Sequence, residues 1–137
     1  MIYMLDTDIC SYIIRKLPRA LLTTVQEKSA AGHSIYISVI TYQELRLGAA
    51  RSKAAKRYHG LITMLCERLD HIAAWTVKEA DAFAQLQADL FARGGPIGHN
   101  DTMIAAHALC LKATLVSNNR RRFARVPGLE LENWLES

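Results

Sequence analysis

The chain alternates short apolar runs with longer amphipathic stretches, and this alternation is the feature that most limits its possible folds. Ile2–Leu5 is one such run, and Pro18, Gly32 and the Gly-Gly-Pro segment at 94–96 separate the later stretches. Continuous apolar runs of this length are typical of strands that are buried on both faces. Strands separated by helices predict a mostly parallel sheet with helices on both faces. We therefore expect an α/β fold with a central sheet of about four or five strands.

Periodicity and helix-breaking residues give approximate bounds for these elements. The second helix should end at Gly32, which is a natural left-handed stop, and the third should open at Thr41. The segment 118–128 is predicted to be a loop. Strands are predicted at 2–5, 34–39, 71–75, 114–117 and 129–133, and helices at about 8–17, 19–31, 41–49, 52–69, 77–93 and 101–112.

Length and composition favour one independently folding domain over 1–137. Half of the 137 residues are hydrophobic, so the chain can bury a core without disulfides or a structural metal. The three cysteines are an odd number at wide spacing, which indicates neither a disulfide framework nor a zinc site. The N-terminus lacks a basic start and no apolar run approaches the roughly 20 residues of a membrane span. We expect a soluble, cytoplasmic protein with no membrane association.

The charge balance points weakly to a polyanionic partner. The formal net charge is +4 and the isoelectric point is near 9.1. A modest excess of Lys and Arg is common on protein surfaces, so this alone makes nucleic acid only a candidate partner.

Acidic and amide side chains follow the predicted strands. Asp6 comes directly after the first strand, Glu44 lies one helical turn after the second, and Asn118 and Asn119 follow the fourth, while Asp101 starts the preceding helix. Sites in such sheets form at the carboxyl ends of the strands. Grouped carboxylates repel one another unless a cation compensates, and oxygen ligands suit Mg²⁺ or Mn²⁺. A divalent ion held there can activate water for phosphoryl displacement, which is nuclease chemistry.

Two of these acids also have a local structural interpretation. Thr41 and Glu44 match the T-x-x-E capping box, in which the glutamate reaches back to the threonine amide. Asn100 or Asp101 could cap the helix that follows them. Local sequence leaves both interpretations open.

The opening block MLDTDI poses the same question for its two acids. Thr7 or Asp8 could cap the first helix, and Asp6 would then have little structural reason to follow an apolar strand. This favours a functional role for Asp6 and a supporting role for Asp8.

Four blocks together resemble a known family: MLDTDI, ISVITYQELRLGA, GPIGHNDTMIAAHAL and TLVSNNRRRFARVPGLELENW. The chain resembles the PIN-domain ribonucleases over nearly its whole length, and closely the VapC toxins of bacterial type II toxin–antitoxin modules. The resemblance implies a PIN-like fold and an endoribonuclease that depends on Mg²⁺, for which Mn²⁺ may substitute. It implies that Asp6, Glu44 and Asp101 ligate the metal and, with Asn119, form the catalytic site.

The chain departs from the family pattern after the fourth strand. Many PIN domains carry a fourth acid where Asn119 stands, and several VapC-like sequences carry another where Arg122 stands. Asparagine adds no charge, so a second metal should bind weakly or only with substrate. The triplet Arg120, Arg121 and Arg122 is a candidate phosphate contact, or else a solvated basic loop. Further candidates for substrate binding are Thr7, Asp8, Asn118 and His99, the last in the loop before Asp101.

The resemblance also implies partners and a substrate. It implies a homodimer and a small VapB-like antitoxin that blocks the toxin and binds operator DNA, so that DNA is contacted only through the antitoxin. The blocks NDTMIAAHAL and SNNRRRF look most like those of toxins that cut initiator tRNA in its anticodon loop, which inhibits translation. The alternative is a catalytically weakened PIN scaffold that binds RNA or the antitoxin. A nucleotide-binding domain is disfavoured because neither GxGxxG nor GxxxxGK[ST] is present.

Overall fold

The computed structural model describes residues 1–135, and over these residues it forms a five-stranded sheet flanked by seven helices. This confirms the predicted fold class. The elements are β1 (Ile2–Leu5), α1 (Thr7–Lys16), α2 (Arg19–Ala30), β2 (Ser34–Ser38), α3 (Val39–Ala50), α4 (Ala55–Glu67), β3 (His71–Ala73), α5 (Val77–Ala92), α6 (His99–Leu111), β4 (Thr114–Val116), α7 (Arg120–Phe123) and β5 (Leu131–Glu132).

All strand pairs are parallel, and the strand order is β3-β2-β1-β4-β5. The first strand therefore lies at the centre, where Tyr3 pairs with Ile35 on one side and with Thr114 on the other. A central strand with helices on both faces must be apolar on both faces, which accounts for the unbroken run of Ile2–Leu5. The end of β1 is consequently surrounded by other strand ends.

Each face of the sheet has its own hydrophobic core. Tyr3 and Leu5 point into a core formed with α1, α2 and α4, whereas Met4 points into a core formed with α5, α6 and α7. Leu5 and Met4 are completely buried. Burial of one such side chain contributes about 1.5–3 kcal/mol, so the two cores fix the sheet between its helix layers.

Three of the differences from the predicted elements bear on the residues around the carboxyl ends of the strands. The third helix begins at Val39, before Thr41, because the Ser38 hydroxyl caps it by accepting the Ile40 N–H at 3.0 Å. The sixth helix begins at His99, which therefore lies in a helical turn and not in a loop. The loop predicted at 118–128 contains the short helix α7, which Asn119 caps.

His107 is fully buried on α6, as an apolar helix face would suggest. Its Nδ1 lies 2.7 Å from the Ser38 Oγ, and its ring packs edge-on against Trp75. Burial lowers the pKa of His107, so the imidazole is neutral at physiological pH. Ser38 thus serves two elements, since it caps α3 and contacts α6.

Among residues 1–135, no helix is long and apolar enough to cross a lipid bilayer. All three cysteines are free thiols, with Cys10 buried and the other two half-buried, in agreement with the expected lack of disulfides.

We predict that Ser38→Ala lowers the free energy of unfolding by about 1–2 kcal/mol, because it removes a helix cap and leaves His107 Nδ1 without its partner. Ser52→Ala is the matched control, since that hydroxyl caps only an exposed turn at the Ala54 amide. Urea unfolding monitored by circular dichroism measures both variants. Equal losses for the two would contradict the dual role of Ser38.

Candidate active site

The parallel strands bring their carboxyl ends to one edge of the sheet. The Asp6 N–H donates to the Val116 carbonyl at 3.0 Å, so Asp6 continues the pairing of β1 with β4. Ser117, the residue after β4, is fully buried beside it. The first candidate acid is therefore part of the sheet edge and not of a mobile loop.

Asp6 itself caps the first helix. Its Oδ1 accepts the Ile9 N–H at 2.8 Å, and the Ser117 side chain hydrogen-bonds the same carboxylate. The expectation that Thr7 or Asp8 caps this helix is wrong, because α1 begins at Thr7 and only Asp6 has the extended backbone of a cap. Asp8 lies two residues after Asp6, in the first turn of α1, and is exposed. The residue predicted to ligate a metal is thus also the cap of a helix.

The environment of Asp6 opposes its ionisation. Its pKa is raised from 3.8 to about 6, mainly by burial and also by the nearby charges of Asp8 and Asp101, although hydrogen bonds from Ser117 and Ile9 act to lower it. The side chain is only 2% exposed. A buried carboxylate among other carboxylates is costly unless a cation joins it, so this position has the character of a cation ligand.

Glu44 lies on α3 and is held by residues from two other helices. The Thr7 hydroxyl donates to Glu44 Oε1 at 2.7 Å, and the Asn100 amide donates to Oε2 at 3.1 Å. The Thr41 hydroxyl is 3.0 Å from that of Thr7 and completes the chain of contacts. The capping-box interpretation is wrong, because Ser38 caps α3 and Glu44 lies in its second turn. Glu44 is oriented by tertiary contacts toward α1 and α6.

Asp101 lies in the first turn of α6. The helix begins after Gly98, whose φ of 105° is a conformation that favours glycine, so neither Asn100 nor Asp101 is its cap. Asp101 Oδ2 pairs with the Arg122 guanidinium at 2.5 Å. A carboxylate in the first turn is also favoured by the helix dipole.

Asn119 holds the backbone of this arginine in place. Its Oδ1 accepts the Arg122 N–H at 3.2 Å, and its own N–H donates to the Ser117 Oγ at 2.9 Å. Ser117 therefore links Asp6 to the start of α7. Asn119, which stands where the family pattern has a fourth acid, is thus an uncharged cap of α7.

Two adjoining cavities open at this edge of the sheet. We call the first the carboxylate cavity, and most of the predicted site residues share it. It is lined by Thr7, Asp8, Glu44, Ile97, Gly98, His99, Asn100, Asp101 and Arg122.

The second cavity, which we call the arginine cavity, shares Ile97 and Arg122 with the first. Its lining is rich in cations and has no acid, so the two cavities form a continuous surface with separated charge. It is lined by Pro96, Ile97, Asn119, Arg121, Arg122 and Arg125.

Two predicted substrate-binding residues lie outside both linings. Asn118 Oδ1 accepts from the Asn133 side-chain amide at 2.9 Å, which ties the loop after β4 to the end of β5. Arg120 opens α7. Ser117, Asn100 and Arg125 are further residues of this region that were not predicted to belong to the site. Of these, only Arg125 could have been suspected from the sequence, because its positive charge lies three residues after the arginine triplet.

The donor atoms agree in kind with Mg²⁺, since every candidate ligand is a carboxylate or amide oxygen. Within residues 1–135, however, no three His, Cys, Asp or Glu side chains are close enough to share one ion. The Arg122 guanidinium pairs with the Asp101 carboxylate, and both carboxylate oxygens of Glu44 accept hydrogen bonds. Asp6 and Asp101 are near enough to interact electrostatically. Their assignment as metal ligands stays a prediction.

Comparison with known proteins identifies the family of this chain. A family model described as the PIN domain matches residues 3–129. The Rickettsia felis protein "Ribonuclease VapC2" is 40% identical over 98% of both chains. The Salmonella typhimurium protein "tRNA(fMet)-specific endonuclease VapC" is 34% identical over 96% of this chain and 97% of its own length.

Solved structures give the same result. VapBC2 from Rickettsia felis, bound to a promoter DNA fragment, contains a chain that superposes with a TM-score of 0.92, at 38% identity, covering 98% of this chain and 99% of that one. DNA-bound VapBC from Salmonella typhimurium superposes with a TM-score of 0.90, at 32% identity and 98% coverage of both chains. The chain therefore belongs to the PIN domain family and, within it, to the VapC ribonucleases.

Proposed function

We propose that this chain is the toxin of a type II toxin–antitoxin module, and that it inhibits translation by cutting initiator tRNA in the anticodon loop with Mg²⁺ or Mn²⁺. Membership of the VapC ribonucleases makes the chain a nuclease. The observation that carries the metal-dependent part is the buried carboxylate of Asp6, which lies beside Asp101 at the edge of the sheet.

In this proposal Asp6, Glu44 and Asp101 hold the metal, directly or through water. A bound divalent ion lowers the pKa of its water ligand and neutralises charge on the scissile phosphate. Thr7 and Asn100 fix the direction of the Glu44 carboxylate. Asp8, which is exposed at the rim of the carboxylate cavity, adds negative charge that Asn119 does not supply.

The arginine cavity is the proposed path of the RNA backbone. Arg121, Arg122 and Arg125 line it next to the carboxylate cavity, and guanidinium groups bind phosphate with bidentate geometry. Arg120 at the start of α7 extends the positive surface. His99, exposed at the rim and packed edge-on against Phe83, is a further proposed RNA contact.

The choice of initiator tRNA rests on a relative. The Salmonella protein named as tRNA(fMet)-specific is 34% identical over nearly the whole chain, and the NDTMIAAHAL and SNNRRRF blocks carry the similarity to such toxins. We place the activity in the cytoplasm, where translation takes place.

The proposed partner is a small VapB-like antitoxin, and any contact with operator DNA is made through it. The Rickettsia and Salmonella neighbours were solved as VapBC complexes with DNA. An apolar groove between α1, α2 and α4 offers a surface for the antitoxin, because Leu17 and Met64 are more than half exposed there. Leu21 and Ile62 of the same helices belong to the core. We also propose a homodimer.

A second candidate function is a PIN scaffold that binds RNA or antitoxin with weakened catalysis. The ion pair of Arg122 with Asp101 and the neutral Asn119 favour it, because both reduce the negative charge available to a metal. Calorimetric titration with Mn²⁺ separates the two functions. Binding that is lost in Asp6→Asn and Asp101→Asn supports the nuclease.

Asp6→Asn should abolish RNA cleavage and also stabilise the metal-free fold. The folded state holds the Asp6 proton up to a pKa of about 6, well above the ordinary value of 3.8, so ionisation lowers stability as pH rises through that interval. At pH 7.5 the amide avoids this penalty, and each pKa unit corresponds to about 1.4 kcal/mol. We expect a gain of about 1–2 kcal/mol in urea unfolding without metal.

The exposed Asp8→Asn is the control for stability, and its free energy of unfolding should stay within about 0.5 kcal/mol of the starting chain. The gain for Asp6→Asn should shrink at pH 4.5, because the folded carboxyl is then protonated and the pH lies less than one unit above the unfolded pKa of 3.8. A destabilised Asp6→Asn, or one that still cuts RNA, would contradict the role given to this residue.

Incubation of the chain with total tRNA and Mg²⁺ should yield discrete fragments of initiator tRNA with ends in the anticodon loop. EDTA and the Asp6→Asn variant should each leave the RNA intact, and primer extension locates the ends. Cleavage of many tRNAs at similar rates would contradict the proposed substrate, and no cleavage at all would favour the scaffold.

Replacing Arg121 and Arg125 together by Gln should weaken RNA binding and lower its salt dependence. Each lost phosphate contact should reduce the slope of log K against log salt by about 0.7, as for single-stranded nucleic acid. Fluorescence anisotropy of a labelled anticodon-loop RNA, in the Asp6→Asn background, measures this slope. Arg57→Gln on the exposed face of α4 is the control, and an equal change there would contradict the arginine cavity as the RNA path.

A further inference from the structure

The site contains a cation of its own. The Arg122 guanidinium lies 2.5 Å from Asp101 Oδ2, and Asp8 adds a second electrostatic attraction. Residues 119 to 122 form a compact turn, in which Asn119 fixes the backbone of Arg122 by accepting its N–H. The start of α7 therefore fixes the backbone position from which the Arg122 side chain reaches Asp101.

This pair differs from an ordinary structural salt bridge in its exposure. The Arg122 side chain is 47% exposed and that of Asp101 is 26% exposed. Exposed ion pairs contribute only about 0–1 kcal/mol, because solvent screens them and long side chains lose entropy on pairing. A buried pair would be permanent, whereas this one can open at little cost.

A divalent ion and the guanidinium compete for Asp101. Arg122 engages Oδ2 of Asp101, and Asp6 stands nearby as the second acid. The two cations would repel each other across a few ångströms, whichever carboxylate oxygen the ion takes. Binding of the ion at Asp101 is therefore favoured when the guanidinium leaves.

We propose that Arg122 is an internal counter-ion that a divalent cation displaces from Asp101. The inference rests on the proposed function, because it takes Asp101 as a metal ligand. Arg122 lines both cavities, so the displaced guanidinium still faces the arginine cavity, where an RNA phosphate can receive it. The metal and the RNA then favour each other's binding, and by linkage the effect is reciprocal.

The experiment is calorimetric titration of Mn²⁺ into the metal-free chain at low salt. Arg122→Gln should bind Mn²⁺ roughly two- to fivefold more tightly, which corresponds to release of an exposed ion pair. Arg121→Gln is the matched control, since it removes the same charge one residue away and lines only the arginine cavity. Arg122→Lys, which keeps the charge, should stay close to the starting affinity.

Salt dependence adds a readout that a purely structural arginine would not change. The advantage of Arg122→Gln over Arg121→Gln should diminish as ionic strength rises toward 0.5 M, because the displaced attraction is screened. Anisotropy with the labelled RNA in the Asp6→Asn background of Arg122→Gln should also show weaker RNA binding. Tighter metal binding combined with weaker RNA binding is the expected signature.

Equal Mn²⁺ affinity in Arg122→Gln and Arg121→Gln, or weaker affinity in Arg122→Gln, would overturn the counter-ion role. If Mn²⁺ binding is nevertheless lost in Asp101→Asn, the nuclease proposal stands. Absence of Mn²⁺ binding and of cleavage in every variant would instead overturn the proposed function, and the counter-ion role with it. The two failures are thus distinguishable.

Discussion

The burial of one carboxylate organises this protein. Asp6 ends the central strand, caps the first helix through Ile9 and touches Ser117 after the neighbouring strand, so it joins three elements at one point. Because burial opposes its charge, its surroundings must supply compensation. That need accounts for the polar contacts at this edge of the sheet and for a site that attracts cations.

The remaining acids of the site are each compensated in a different way. Glu44 accepts hydrogen bonds from Thr7 and Asn100, and Asp101 pairs with Arg122. In this arrangement the metal-free chain carries its own substitutes for a bound cation. The charges of the site are therefore balanced without metal, and in the proposed function a bound ion would compete with these groups.

The same T-x-x-E pattern stands near the start of two helices with different outcomes. Thr76 and Glu79 form a true capping box, with the Thr76 N–H donating to Glu79 Oε1 at 2.7 Å. Thr41 and Glu44 have the same T-x-x-E spacing, yet Ser38 begins their helix three residues earlier. Glu44 is thereby released from capping and turns toward Thr7. Local spacing cannot distinguish the two cases, because the helix start depends on how β2 and α6 pack around Ser38.

The sequence by itself determined the α/β class, the strand of Ile2–Leu5 and the position of Asp6 directly after that strand, because apolar runs and the alternation of strands and helices can be recognised in the order of residues. Only the tertiary structure decided that Asp6 is the cap of α1, that Asn119 caps α7 and that Arg122 pairs with Asp101. The Arg122–Asp101 pair joins residues 21 positions apart, and its partners are brought together by packing between α6 and α7. Each cap joins residues only three positions apart, but which residue caps depends on where the helix begins, and that start is decided by packing.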